Sequence, residues 1–327
     1  MKGRTWLSFV LLLLTAAIWG FAFVAQRVGA RYLGPFTFNG IRFFLGGVSL
    51  VPLLLGRYYF ERRRKEGPAG DTQGNGTIGA QPDKKGKKFA LLAGLMAGTV
   101  LFLASTFQQM GMVETSSGKA AFITGLYIIL VPLLGLFIKK KVGAIVWLSA
   151  VLALTGLFLL CVTKDLTVAV SDLYEIIGAF FWAIHILLID YAARRVEVLK
   201  LSVYQFFTCS VLSLLLAVLL ENISLEAIYQ AALPIAYGGF CSVGIAYTLQ
   251  AVAQKNVDPA PAAIILSMES LFATLGGFLL LNEGLTARSG VACLLMLSGM
   301  VLAQIGPIIK TKPEKACGKT EKSAAVG

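Results

Sequence analysis

The chain has 327 residues, of which 57% are hydrophobic and 14% charged, whereas a soluble domain carries roughly 25% charged residues, so a water-soluble fold is not expected. Its net charge of +12 falls almost wholly between apolar blocks, each of about twenty residues, the length a helix needs to cross a bilayer core of about 30 Å. No segment interleaves basic residues with aromatics, which excludes a nucleic-acid surface and assigns the charge to topology and anionic lipid headgroups.

In chain order, a short basic start (Met1–Arg4) precedes the first apolar block, Leu7–Ala25. This start resembles a signal peptide, but the block is long for one and lacks a small-x-small cleavage site, so it reads as a retained helix. The second span, Phe36–Leu55, contains Arg42. A polar connection follows from Arg57 to Lys88, rich in Gly, Pro, Asn, Asp and Gln with basic flanks. Such a segment cannot bury a core and is expected to be a disordered cytoplasmic loop. The remaining spans are Phe89–Gln109, Ala120–Ile138, Val142–Val162, Leu173–Tyr191, Leu201–Leu220, Leu233–Ala253, Ala260–Leu281 and Gly290–Ile309, with a basic tail over 310–327. The fold class is therefore an all-α, polytopic membrane protein of ten transmembrane helices. With the N-terminus inside, cytoplasmic connections hold 23 Lys and Arg and the opposite side 5. That split places both termini in the cytoplasm of a multi-pass cell-membrane protein.

An internal repeat divides the ten spans. An offset of 163 aligns Trp19 with Trp182 and Arg42-Phe43-Phe44 with Gln205-Phe206-Phe207. Beyond the polar connection the offset becomes 142, aligning Gln108 with Gln250, Ala120-Ala121 with Ala262-Ala263 and Gly135 with Gly277; with one more residue Thr155-Gly156 meets Ser298-Gly299. Two copies of five helices result, 1–162 and 163–309. Because five is odd, the second copy enters the membrane from the opposite face. Inverted repeats of this kind enclose a central cavity in secondary transporters.

Polar residues inside the spans are the site candidates. Glu269 lies nine residues past Ala260, about 14 Å into its span at helical rise. A carboxyl near the midplane is expensive unless paired, protonated or facing a wet cavity, so Glu269 either exchanges a proton, holds a cationic group or serves as interhelical glue. The 142 offset sets Tyr127 opposite it across the pseudo-axis. Arg42 lies about 9 Å inside its span, shallow enough to snorkel, pair structurally or bind a carboxylate or phosphate. Trp19 and Trp182, at matching depths, are cavity-wall or packing residues. Gln108, Gln250, Gln109 and Gln205 need partners or water. His185, the only histidine, has no acids or thiols in metal-ligand spacing, so no metal and no cofactor is expected. The five cysteines are scattered singly and read as packing residues. Glu283 and Asp190 read as anchors at helix ends. Gly94–Gly98 forms a GxxxG that permits close helix contact.

Several of these segments are similar to the EamA-type carriers of the drug/metabolite transporter superfamily. Ala16–Pro35 (AAIWGFAFVAQRVGARYLGP) resembles that family's opening Trp-Gly helix, and Phe38–Leu45 (FNGIRFFL) its Arg-Phe motif. Leu266-Ser267-Met268-Glu269 through Gly276, then Asn282-Glu283-Gly284-Leu285, Gly290 and Gly299-Met300-Val301-Leu302, resemble its last two helices. The chain departs from the family at Ser270, where Pro is frequent, and at Lys140, which stands in the place corresponding to Glu283. The resemblance implies ten helices around a central cavity and export of small metabolites such as amino acids. The partners expected are a small-molecule substrate and the bilayer, the chain acting as a monomer or weak homodimer. The other readings are a membrane-embedded enzyme and a channel or scaffold subunit; no HExxH, GxSxG or P-loop supports an enzyme.

Overall fold

A computed structural model describes residues 2–66, 84–115, 117–140, 142–161, 169–281 and 287–309. Its described residues form helices and no strands: α1 (Lys2–Gly29), α2 (Pro35–Glu66), α3 (Lys84–Gly111), α4 (Ser117–Thr124), α5 (Tyr127–Phe137), α6 (Ala144–Cys161), α7 (Val170–Ala193), α8 (Val198–Leu220), α9 (Leu225–Gln230), α10 (Ala232–Ala236), a π-helical segment (Tyr237–Tyr247), α11 (Thr248–Ala253), α12 (Pro259–Leu266), α13 (Glu269–Leu281) and α14 (Ala287–Ile309). Seven stretches are long and apolar enough to cross a membrane: Thr5–Gly29, Pro35–Phe60, Lys88–Gly111, Val170–Ala193, Val198–Leu220, Ala232–Ala253 and Pro259–Leu280. At the other three expected spans lie the shorter apolar helices Tyr127–Phe137, Ala144–Leu159 and Gly290–Ala303.

The side chains are distributed as in a membrane protein. Val218, Leu219, Leu294 and Phe137 point outward, into what lipid tails solvate as well as a protein core would. Arg42, Asn39, Gln108, Gln205, Glu175 and Glu269 are buried within the bundle, where charged and polar groups require partners or a cavity.

Two expectations are corrected. The flanks of the 57–88 connection are helical, since α2 continues to Glu66 and α3 begins at Lys84; Arg57 pairs with Glu197 at the start of α8, Nε to Oε1 at 3.4 Å. Its centre and the 310–327 tail lie outside the described residues. The fourth and ninth spans are broken helices, α4/α5 and α12/α13.

Three backbone bonds of these breaks recur at the 142 offset. The Gly125 N–H donates to the Ala121 carbonyl at 3.0 Å, as Ser267 does to Ala263; Leu126 donates to Ile123 at 3.1 Å, as Met268 does to Ile265; and Ile128 donates to Gly125 at 3.0 Å, as Ser270 does to Ser267 at 3.1 Å. Shortened turns of this kind interrupt the α-ladder without proline. Gly125 tolerates the turn, and the Ser267 hydroxyl donates to the Ile264 carbonyl at 2.8 Å, a side-chain bond that competes with helix. The 163 offset recurs likewise. Phe38 donates to Gly34 at 3.1 Å and Leu201 to Glu197 at 3.0 Å, in the first turns of α2 and α8.

Packing is reciprocal between the same pairs. A Cβ on Gly156 would stand 2.6 Å from the Ala292 carbonyl and 2.9 Å from the Met296 nitrogen; one on Gly299 would stand 2.8 Å from the Ser149 carbonyl and 2.9 Å from the Ala153 nitrogen. Those partners are themselves related by the 143 offset. Phe43 meets Phe206 with ring centroids 6.3 Å apart, and Phe44 meets Phe207 at 6.0 Å. The Gly94–Gly98 pair packs on Tyr204 and Thr208 of α8, so this GxxxG closes a contact within the chain.

Candidate functional site

The two broken helices turn their second halves toward the centre of the bundle. Tyr127 opens α5 and Glu269 opens α13, and the Tyr127 hydroxyl donates to Glu269 Oε1 at 2.8 Å. The positive ends of two helix dipoles therefore converge where a carboxyl and a phenol already meet. The Ser270 hydroxyl, one residue on, donates to the Ala121 carbonyl at 2.9 Å, tying one break to the other.

Around this pair is a cavity lined by Trp19, Ala22, Phe23, Gln26, Arg42, Gln108, Thr124, Tyr127, Trp182, Ile186, Ser242, Tyr247, Gln250 and Glu269. It is small, about 30 Å³ for the centre of a water-sized occupant, which is room for roughly two water molecules. An aromatic wall closes one side. Trp19 lies 4.7 Å from Tyr247 and 6.4 Å from Trp182 between ring centroids, and Trp182 stacks on Tyr247 at 6.0 Å. The Trp19 indole N–H donates to the Ser242 carbonyl at 3.3 Å. Ser242 and Tyr247 belong to the π-helical segment, whose wider turn is a frequent feature of functional sites. Its glycines admit α2 closely: a Cβ on Gly238 would meet the Arg42 side chain at 3.3 Å, and one on Gly239 the Arg42 carbonyl at 3.2 Å.

Seven of the eight sequence candidates line the cavity: Glu269, Tyr127, Trp19, Trp182, Arg42, Gln108 and Gln250. Arg42 does not snorkel. It is 2% exposed, with its guanidinium carbon 5.0 Å from the Phe43 ring and 5.4 Å from that of Phe38; these cation–π contacts hold the charge where water does not. His185 stands outside the lining. Its Nε2 pairs with Gln205 Oε1 at 3.0 Å, and its ring sits edge-on to Trp182 and Tyr247, so it supports the aromatic wall from behind. Gln109 donates to the Gln26 carbonyl at 3.1 Å.

Several cavity-side polar atoms have no protein partner: both amide atoms of Gln250, Oε1 of Gln26, Nε of Arg42 and Nε1 of Trp182. A buried group left in that condition costs about 1–3 kcal/mol. These atoms belong to residues around one space, where a cation, an acid and amides stand together. No cluster of three or more His, Cys, Asp or Glu suited to a metal occurs among the described residues.

Sequence reasoning missed Glu175. It is fully buried on α7, accepting from the Thr124 hydroxyl at 3.2 Å, while Gln108 Nε2 donates to that same hydroxyl at 3.2 Å. The signal was available: an acid inside an apolar block, two residues in from the expected boundary at Leu173. Asp190, expected as a helix-end anchor, is buried and holds three bonds, from Lys140 Nζ and from Arg194 Nε (3.1 Å) and Nη2 (2.8 Å). Glu283 lies outside the described residues.

Comparisons with known proteins fit this arrangement. The sequence model of the EamA-like transporter family matches twice, over residues 6–162 and 170–304. An uncharacterized transporter of Archaeoglobus fulgidus is 26% identical over 295 residues, covering 90% of this chain and 84% of that protein. The uncharacterized transporter YoaV of Bacillus subtilis is 22% identical over 291 residues, covering 87% and 92%. A solved protein crystal structure shares the fold at a TM-score of 0.72 and 17% identity, over 95% of this chain and 99% of the other. The chain belongs to the EamA-like transporter family and is a multi-pass membrane protein.

Proposed function

We propose that this EamA-like protein is a secondary transporter that exports small polar metabolites, amino acids or related compounds, by alternating access between two inverted five-helix repeats. The single observation that carries the reading is the Tyr127–Glu269 bond, made by the first residues of two broken half-helices that stand 142 residues apart. Discontinuous helices whose half-helix ends face a midplane site are how secondary carriers present dipoles to a substrate. Supporting it are the double match of the family model, the backbone bonds shared at both offsets, and the reciprocal contacts of Gly156 and Gly299. An interface in which residue i meets j and the equivalent of j meets the equivalent of i is isologous, the pattern of two-fold symmetry. Two such halves can exchange conformations at little cost.

The substrate class follows from opposed charges in one cavity. Arg42 suits a carboxylate and Glu269 an ammonium group, with Trp19, Trp182 and Tyr247 walling the apolar remainder. The space between them is near closure, so binding requires the halves to part. Both termini are cytoplasmic, and the repeats comprise 1–162 and 163–309.

The test is counterflow in proteoliposomes of the full chain, preloaded in turn with members of a metabolite panel that includes zwitterionic, anionic and cationic amino compounds. Saturable exchange of a zwitterion, lost in Arg42→Ala and in Glu269→Gln, is expected. Flux that is unsaturable and unaffected by preloading identifies a channel and overturns the carrier reading.

A further inference from the structure

A second buried carboxyl lies beside the cavity, on a polar line that leads from it to one end of the bundle. Glu175 is 0% exposed. Its Oε2 accepts from Thr124, a residue of the cavity lining, and its Oε1 has no hydrogen-bond partner. It fits only because α3 has no side chain there: a Cβ on Gly111 would stand 2.5 Å from Glu175 Cγ and 2.7 Å from Oε1. One turn away on α7 is Asp172, whose Oδ1 accepts from the Thr115 hydroxyl at 3.4 Å. The Thr115 carbonyl in turn accepts from Arg27, and Val113 and Glu114 beside it are exposed. Polar groups thus follow one another from Glu269 and Tyr127 in the cavity through Thr124 to Glu175, and one helical turn on, from Asp172 to Thr115 beside the exposed Val113 and Glu114.

The groups around Glu175 are few. α3 presents Gly111 and Gln108, α4 presents Thr124, and α7 itself presents Asp172. Among the described residues, the charges that act on it are those of Asp172 and Glu269, both acids. A carboxylate buried among acids is costly to keep ionised without a proton or cation. The Thr124 hydroxyl holds its head through Oε2, and Gln108 in turn donates to that hydroxyl.

We propose that Glu175 is a second proton-binding carboxyl, which relays protons between Glu269 in the cavity and the bundle end at Asp172 and Thr115. In the relay step the Thr124 hydroxyl gives its proton to Glu175 and takes one from a water molecule in the cavity, which takes its replacement from the Glu269 carboxyl. Glu175 becomes the acid and Glu269 the carboxylate; no other bond changes. Proton exchange then has a route that differs from the substrate's, so Glu269 can be recharged from one side while the cavity is closed. The inference rests on the carrier reading only in taking Glu269 as the coupling group.

Infrared spectroscopy of the full chain in phosphatidylethanolamine–phosphatidylglycerol liposomes tests it without any substrate. Carboxylic C=O bands assigned by their loss in Glu175→Gln and in Glu269→Gln are followed on dilution into D2O. In Glu175→Gln, deuteration of the Glu269 band is expected to slow by about tenfold or more, the effect of adding roughly 1.4 kcal/mol to a barrier. Thr124→Val, which keeps both acids and removes the bridging hydroxyl, is expected to slow it as well, and it decides the matter alone if Glu175→Gln does not fold. Exchange at the wild-type rate in either folded variant, or a Glu175 that contributes no protonated band at any pH, overturns the relay. Because counterflow is not measured, a failed relay leaves the carrier reading standing, and a failed carrier reading leaves this result interpretable.

Discussion

Tyr127 and Glu269 occupy the same position in two copies of one structural element, the first residue after a helix break, and they are bonded to each other at 2.8 Å. Residues equivalent under a two-fold relation can touch only on or near the axis that relates them. On the proposed two-repeat reading, the centre of the pseudo-symmetry is therefore also the place where the chain keeps an acid.

Removing that acid's charge while keeping its shape should abolish pH dependence. In Glu269→Gln the amide cannot exchange a proton, so counterflow measured across a pH series is expected to be flat as well as slower. Tyr127→Phe deprives the carboxyl of its hydroxyl donor, a loss of about 1–3 kcal/mol for a buried group, and is expected to retain a pH-dependent but displaced profile. A Glu269→Gln profile that overlays the wild type reduces the residue to a packing role.

Much of this centre was legible in the sequence. The offset of 142 places Tyr127 opposite Glu269 because the repeat preserved spacing even where it did not preserve residue type. The breaks were not legible, since neither Gly125-Leu126 nor Ser267-Met268 contains a proline, and a two-residue interruption in an apolar run leaves hydropathy unchanged. For Arg42 the sequence left snorkelling, pairing and ligand binding open for a related reason: depth along a span says nothing about which way a side chain faces, and here it lies against the rings of Phe38 and Phe43. Likewise a lone histidine carries no signal that separates a cavity wall from the support behind it, where Gln205 holds His185.

The reciprocity of α6 and α14 predicts matched costs. Alanine at Gly156 or at Gly299 must displace a backbone carbonyl standing 2.6 Å or 2.8 Å from the new Cβ, and overpacking of this kind costs about 1–3 kcal/mol. Both variants should lower the unfolding temperature in detergent by similar amounts. If one is neutral and the other destabilising, the two glycines do not do equivalent work.

The end of α5 is strained in a way that can be relieved. Lys139 has φ of 60°, and the Lys140 N–H donates to the Gly135 carbonyl and the Lys139 N–H to that of Leu136, both at 2.9 Å: a Schellman ending with lysine where glycine is preferred. Lys139→Gly is expected to stabilise the chain by about 1 kcal/mol, read as a raised unfolding temperature. The neighbouring Lys140 pairs with Asp190, so Asp190→Asn should destabilise, leaving Lys140 and Arg194 without their shared carboxylate.

Threading is the step on which inversion depends. Five spans per repeat put equivalent residues on opposite faces, whereas an even number would leave the halves parallel. The ends of α8 at Leu220 and of α13 at Leu281 fall one on each side of the eighth and ninth spans. On the proposed ten-span reading two membrane crossings separate them, which puts both on one face, and the 23 to 5 partition of Lys and Arg predicts that this face is the outer one. Alkaline phosphatase fused after either residue is expected to be active, and green fluorescent protein fused there dark. A fluorescent fusion at Leu281 with an active phosphatase at Leu220 means that the broken α12/α13 turns back without crossing. The second repeat would then cross four times against five in the first, the two would not be related by inversion, and no exchange of conformations between them could open the cavity to each face in turn.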